Sequence, residues 1–331
     1  MVMTFKKFLF VVSICAIVFL CVLCYAANYM LNFAIVRQSG SNDSIHKMLA
    51  VSEDAEQVAR EQRAALLEKR MTLQAQEWGA AACTKTQELT AEDGIVLHGY
   101  FFMQPDSSVH RWAVIVHGYN DIAQEFWSYA QAYYEKGWNV LTPDLRASGK
   151  SQGSFIGMGW LDRRDIILWL SEVVKLDAQA QIVLHGFSMG AAAVMMASGE
   201  KDFPEAVKVC IEDSGYSSVW VEFKDKLHKM YHLPSFPLMH AVSVLSKIRA
   251  GYSFCEADCV KQLRKNKTPM LFIHGDADDY NPFYMQDIVY EADACEQKEK
   301  LVVHGARHVM SAFTEPDVYW NTVWNFIEEN W

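Results

Sequence analysis

Residues Gln181 to Ala197 read QIVLHGFSMGAAAVMMA. The run up to Gly186 is apolar with strand character, and the run after Gly190 is small and apolar, as suits a buried helix. Ser188 stands between the two glycines, where one pattern turns into the other. Such a turn strains the backbone of its central residue and raises that side chain above the sheet, and flanking glycines let it close without steric conflict. The segment therefore asks for a central strand followed at once by a packed helix, as in a parallel sheet covered on both faces. A short pattern with three fixed positions also arises by chance, and a serine ahead of a helix also serves as an N-cap. Strand before, helix after and a central place in the chain favour the raised hydroxyl.

The flanking sequence agrees with that sheet. Short apolar runs bounded by turn residues begin at Trp112, Trp138, Gln181, Val207, Pro269 and Lys300, and helix-period segments alternate with them. Residues 84–103 read as two strands joined at Glu92-Asp93-Gly94. The expected fold class is α/β, a mostly parallel central sheet flanked by helices with right-handed crossovers. One interval, 217–268, carries only helical text between two strand candidates and reads as a lid above their carboxyl ends. Met230, Tyr231, Phe236 and Met239 are its candidate pocket residues, and packing onto the core is an equal explanation for any one of them.

The amino-terminal segment is of another kind. Phe8 to Ala27 is an uncharged apolar run of bilayer-spanning length, preceded by Lys6 and Lys7. An uncleaved single-pass anchor with the remainder outside the cytoplasm is the expectation; a signal peptide cut near Ala26-Ala27, giving a secreted product, is the alternative. The division is 1–40 anchor, 41–79 juxtamembrane helical segment (Ile45 to Gly79 being rich in helix formers) and 80–331 main domain. The net charge of −10 argues against a nucleic-acid partner. Outside the apolar run the cysteines are Cys83, Cys210, Cys255, Cys259 and Cys295, an odd set that is no disulfide framework. Cys255 and Cys259 read as small apolar residues, with a mutual bridge as the other option, and no zinc-ligand spacing is visible.

A serine hydroxyl needs a base in contact and a carboxylate to orient the base. Two strand-end loops after Ser188 carry such groups: HGDADDYNP from His274 and GARH ending at His308. With VIVHGYN, PDLRASGKSQGSFIGMGWLDRRD and GFSMG, these blocks resemble the α/β-hydrolase superfamily, in particular its bacterial, N-terminally anchored esterase-like members with a helical lid and the related peptidases. The likeness runs from about Ile45 to the end. It implies the α/β-hydrolase fold, Ser188 as nucleophile, Asp278 as acid and His308 as base. It also implies an oxyanion hole of the Tyr119 and Met189 amides, with no metal or organic cofactor. Asp276 and Asp279 are rival acids by chemistry, and Asp213 is a distant one expected to be structural. His304 is the rival base and is expected to be a buried strand-end residue; His117, His185 and His274 are expected to bond to backbone. Ala147 and Ser148 stand where the family usually has Gly and His, which puts the shape of that turn in question. The implied activity is hydrolysis of a small-molecule carboxylic ester, with a peptidase or amidase second and a binding protein that has lost the chemistry third.

Overall fold

The computed structural model describes residues 5–37 and 54–331. The part of the expected juxtamembrane helix that precedes Asp54 lies outside them. Eight strands form one sheet: β1 (Lys85–Thr90), β2 (Val96–Phe102), β3 (Arg111–Val116), β4 (Asn139–Asp144), β5 (Gln181–Phe187), β6 (Val207–Asp213), β7 (Met270–Gly275) and β8 (Lys298–Val303). Their order is β1-β2-β4-β3-β5-β6-β7-β8. β2 runs antiparallel to both neighbours, and every pair from β4 onward is parallel. This is the sheet of the α/β-hydrolase fold.

Parallel strands are buried on both faces because their crossovers lay helices over each side. Successive side chains of β5 accordingly feed opposite cores: Ile182 and Leu184 join one, Val183 and Phe187 the other. Over the first face lie α4 (Asp162–Leu176), α5 (Met189–Ser198), α8 (Cys259–Leu263) and α9 (Tyr284–Ala292). Over the second lie α2 (Ala55–Ala82), α3 (Trp127–Glu135), α10 (Ser311–Thr314) and α11 (Pro316–Asn330). Every residue of α5 is buried, as the run of alanines, valine and methionines requires.

Between β6 and β7 the chain forms α6 (Val219–Tyr231), α7 (Leu238–Ala250) and the short α8. The helical text around residues 256–265 yields only the five residues of α8, whose start is set by Asp258, which accepts from the Lys261 amide at 3.0 Å. Phe236 does not enter a pocket: it lies in the turn before α7 and is 71 % exposed. Ala147 adopts a left-handed backbone, φ 59°. The turn thus keeps the glycine-like shape with an alanine in it, and burial of the methyl group offsets a strain of about 1 kcal/mol.

α1 (Phe5–Ile35) is longer than the apolar run at its heart, and is long and apolar enough to cross a membrane. Its two ends behave differently. Residues from Phe5 to Val22 are exposed, whereas Ala27, Leu31 and Ile35, spaced at four-residue intervals on one face, are buried. That face packs on α7. Arg249 of α7 donates to Asn28 at 2.6 Å and Asn32 at 2.9 Å, and the Ile156 amide donates to the Ile35 carbonyl at 2.7 Å. Arg37 donates to the Ser151 and Gly149 carbonyls, each at 2.7 Å. The last turns of the apolar helix are therefore built into the main domain. A fragment beginning at Asn42 lacks them and should melt on the order of 10 °C below the full chain in the same detergent, from the loss of roughly 5 kcal/mol of apolar burial. Equal melting temperatures by circular dichroism would show the docking to be energetically idle.

Candidate active site

Phe187 ends the central strand β5 at its carboxyl terminus, and Ser188 takes φ 53° and ψ −115° before α5 begins. A Cβ on Gly186 would sit 2.4 Å from the Gly190 carbonyl oxygen. One on Gly190 would sit 2.3 Å from that of Val116. Both glycines are thus steric requirements of the turn. The Ser188 amide donates to the Asp213 carbonyl at 2.8 Å, tying the turn to the end of β6. Four of the six other non-glycine residues with positive φ gather here as well. Asn120 (φ 61°) and Val309 (φ 58°) line a polar cleft with Ser188, Met158 (φ 48°) lines an apolar pocket with it, and Ser214 (φ 59°) accepts from the Val309 amide at 3.2 Å. A β-branched residue such as Val309 in this region costs on the order of 1–3 kcal/mol, a strain typical of functional sites.

His308 lies in the loop after β8. Its Nε2 is 2.8 Å from Ser188 Oγ and its Nδ1 is 2.7 Å from Asp278 Oδ2. Asp278, in the loop after β7, has no exposed side-chain surface, and its other oxygen accepts from the Tyr280 and Asn281 amides at 2.9 Å each. The Tyr280 ring lies against the imidazole, centroids 4.6 Å apart. The sequence-derived serine, acid and histidine are thus brought together in one continuous chain of contacts. The Tyr119 and Met189 amides are not taken up by turn or loop acceptors among the described residues.

The rival groups are occupied elsewhere. Asp276 bonds to His304 Nδ1 at 2.7 Å and to the Gly305 amide, and Asp279 pairs with Arg307 at 2.9 Å. Asp213 accepts from Ser214 Oγ at 2.8 Å and Tyr319 Oη at 3.0 Å. His304 is not buried as expected: it lies just past the end of β8 with an 82 % exposed side chain. His117 bonds to backbone as expected, to the Gly118 carbonyl and the Leu145 amide. His185 departs from that expectation, lying between the hydroxyls of Tyr133 at 3.2 Å and Tyr319 at 3.1 Å. Desolvation pushes its pKa down to about 3, so it stays neutral.

His274 does more than bond to backbone. Its Nε2 is 3.0 Å from the Asn281 carbonyl and 3.1 Å from Asp278 Oδ2, the oxygen that also holds His308. Burial alone would raise the Asp278 carboxyl, but the two histidines outweigh it and hold it well below the usual carboxylate range. For His274 burial acts downward and is overcome by Asp278 and by Glu212 on the neighbouring strand, which together bring it up to about 9. The backbone bond of His274 is the one expected, whereas its contact with Asp278 and the Tyr280 ring were not anticipated from the sequence. A histidine at the end of a strand, four residues before an acid, was the available signal.

Ser188 borders two cavities. One, a narrow cavity of about 80 Å³, is walled by apolar side chains of α6, α7 and α1, among them Met230, Tyr231 and Met239. The other is the larger polar cleft beneath α2, where Glu68, Asp121 and Glu125 lie with His308 and Arg307. Desolvation, then the charges of Glu125 and Glu68, push the Asp121 carboxyl up to about 8. Among the described residues no cluster of His, Cys, Asp and Glu could hold a metal ion. All eight cysteines are unbridged, Cys259 buried and Cys255 exposed.

The family described as serine aminopeptidase, S33 matches residues 107–212 of the chain. The chain is 28 % identical over 240 residues to the uncharacterized protein YqkD of Bacillus subtilis, spanning 71 % of this chain and 76 % of that protein. It is 26 % identical over 248 residues to the uncharacterized YfhR of Escherichia coli K12, spanning 72 % and 79 %. Among solved structures it resembles the Pyrococcus furiosus esterase Pf2001 with a TM-score of 0.59 at 21 % identity, covering 74 % of this chain and 90 % of that one. It also resembles the acylaminoacyl peptidase of Pyrococcus horikoshii, with a TM-score of 0.56 at 18 % identity, covering 74 % and 41 %.

The elevated His274 fixes a sign for pH dependence. A histidine raised above its ordinary value contributes stability that is complete below about pH 6.5 and lost as pH rises toward 9. Thermal or urea unfolding should show the wild type losing up to roughly 3 kcal/mol across that window, and His274→Gln losing much less. Identical pH profiles for the two proteins would contradict a charged His274.

Proposed function

We propose, from its α/β-hydrolase fold, that the chain is a membrane-tethered serine hydrolase cleaving carboxylic esters through Ser188, His308 and Asp278. The observation that carries the reading is the unbroken contact from Ser188 Oγ through both ring nitrogens of His308 to a buried, ionised Asp278. As Ser188 Oγ attacks the acyl carbon, His308 Nε2 takes its proton, and Asp278 holds the ring and stabilises the imidazolium. The amides of Met189 and Tyr119 receive the oxyanion, each donor contributing on the order of 3–4 kcal/mol. His308 then protonates the departing alkoxide, and water, activated by the same nitrogen, releases the acid from the acyl-enzyme. Within residues 217–268, α6 and α7 act as the lid, while α8 packs on α5 in the core. Lys6 and Lys7 ahead of the spanning segment favour a catalytic domain on the extracytoplasmic side.

An ester is favoured over an amide because the pocket beside Ser188 is apolar and its charged side chains are already matched, Lys226 to Glu222 at 2.9 Å. Amide or peptide hydrolysis is the second reading, on the description of the matching family as a serine aminopeptidase.

The full chain in detergent should hydrolyse p-nitrophenyl acyl esters faster than aminoacyl p-nitroanilides. Ser188→Ala and His308→Ala should each lower kcat by at least about 10⁴-fold, and the double variant should be no worse than either. Anilides turned over faster than esters would select the second reading, and ester turnover untouched by Ser188→Ala would end the first.

A further inference from the structure

α1 does more than tether the domain. Its residues Met30, Phe33 and Ala34 form part of the wall of the apolar pocket that holds Ser188. The Ala34 carbonyl accepts from the Tyr119 hydroxyl at 2.8 Å, which joins the helix to the proposed oxyanion loop. A helix of 31 residues rises about 46 Å, whereas a bilayer core needs about twenty residues, so roughly ten project beyond it. With the uncharged run from Phe8 to Ala27 in hydrocarbon and Lys6 and Lys7 in the opposite headgroups, Tyr25 and Tyr29, both exposed, bracket its far end near the headgroup level where tyrosines are favoured. Met30 is then only about 8 Å of helix rise past Tyr25. The pocket wall therefore stands at the membrane surface.

The remaining surface near this wall has the same character. On α7, which packs on α1, Val244 and Ile248 are 61 % and 75 % exposed, and Phe236 and Leu233 are exposed in the turn that precedes it. Arg249 accompanies them as a cation suited to an anionic lipid surface, whereas Lys247 is paired with Glu256 at 2.8 Å. Inside the pocket Met158, Met189, Met230 and Met239 supply adaptable apolar surface, which suits a flexible hydrocarbon chain.

We propose that the substrate is an acyl ester resident in the bilayer, whose hydrocarbon chain passes along α1 into the pocket while its ester group reaches Ser188. The alcohol portion lies on the side of the polar cleft. The proposal rests on the ester-hydrolase reading above and adds the substrate class and its route of entry. Attack of Ser188 Oγ on the ester carbonyl carbon forms the acyl-enzyme and breaks the bond to the alcohol, which leaves with the proton carried by His308. Water then gives the free fatty acid, so no further reactant is needed.

The test uses the full chain reconstituted in vesicles of phosphatidylcholine with a fifth phosphatidylglycerol. Monooleoylglycerol in the bilayer is compared with water-soluble p-nitrophenyl acetate and butyrate. The expected result is Ser188-dependent release of oleic acid, with at least tenfold higher kcat/KM for esters of sixteen to eighteen carbons than for the two-carbon ester. Met30→Trp, which fills the pocket from the α1 side, should cut the long-to-short preference at least tenfold. Cleavage of the soluble esters alone, abolished in Ser188→Ala and with a chain-length profile unmoved by Met30→Trp, would overturn the inference while leaving the ester-hydrolase reading intact. No turnover of any ester would overturn both.

Discussion

The architecture of the candidate site depends on one backbone conformation, the positive-φ turn at Ser188. A residue with a Cβ is costly there, and it persists because its surroundings leave no alternative. Gly186 and Gly190 allow carbonyl groups of the turn and of β3 to approach where a side chain would collide, and the Asp213 carbonyl fixes the Ser188 amide. The fully buried α5 then locks the far side. The strain spreads to Asn120, Met158, Ser214 and Val309, each joined to the same site by a shared cavity or a hydrogen bond. Folding energy from the two cores on either side of the sheet maintains it.

The electrostatics follow from a second constraint. Asp278 has lost its water, so its charge survives only because two backbone amides and two imidazoles surround it. His308 links this carboxylate to Ser188, and His274 links it to the Asn281 carbonyl. The buried carboxylate is shared between them, so His274 acts on the proposed chemistry by positioning Asp278.

Much of this was legible in residue order. The apolar runs marked six of the eight strands and the Glu92-Asp93-Gly94 turn marked the first two, because buried parallel strands leave an unmistakable pattern. Ser188 and His308 were legible because strand-end loops are where such a sheet places its chemistry. Choosing among Asp276, Asp278 and Asp279 rested on resemblance, since three acids within four residues are chemically alike. The coordinates separate them by partner: His304, His308 and Arg307 respectively. The exposure of His304 was illegible because one residue past a strand end decides between core and solvent. The docking face of α1 was hidden for a different reason: within a uniformly apolar helix, Ala27, Leu31 and Ile35 carry no contrast with their neighbours. The same uniformity hid the role of Met30, Phe33 and Ala34, which only the fold brings beside Ser188.

The fold thus joins a membrane-length helix, an apolar pocket and a strained serine into one unit, and the central claim is that this serine is activated by His308. Covalent labelling of the full chain with a fluorophosphonate, with the modified residue located by peptide mass spectrometry, tests it most directly. Stoichiometric modification is expected at Ser188 alone, with the rate reduced at least a thousandfold in His308→Ala. Labelling at another serine, or equal labelling rates with and without the imidazole, would contradict it.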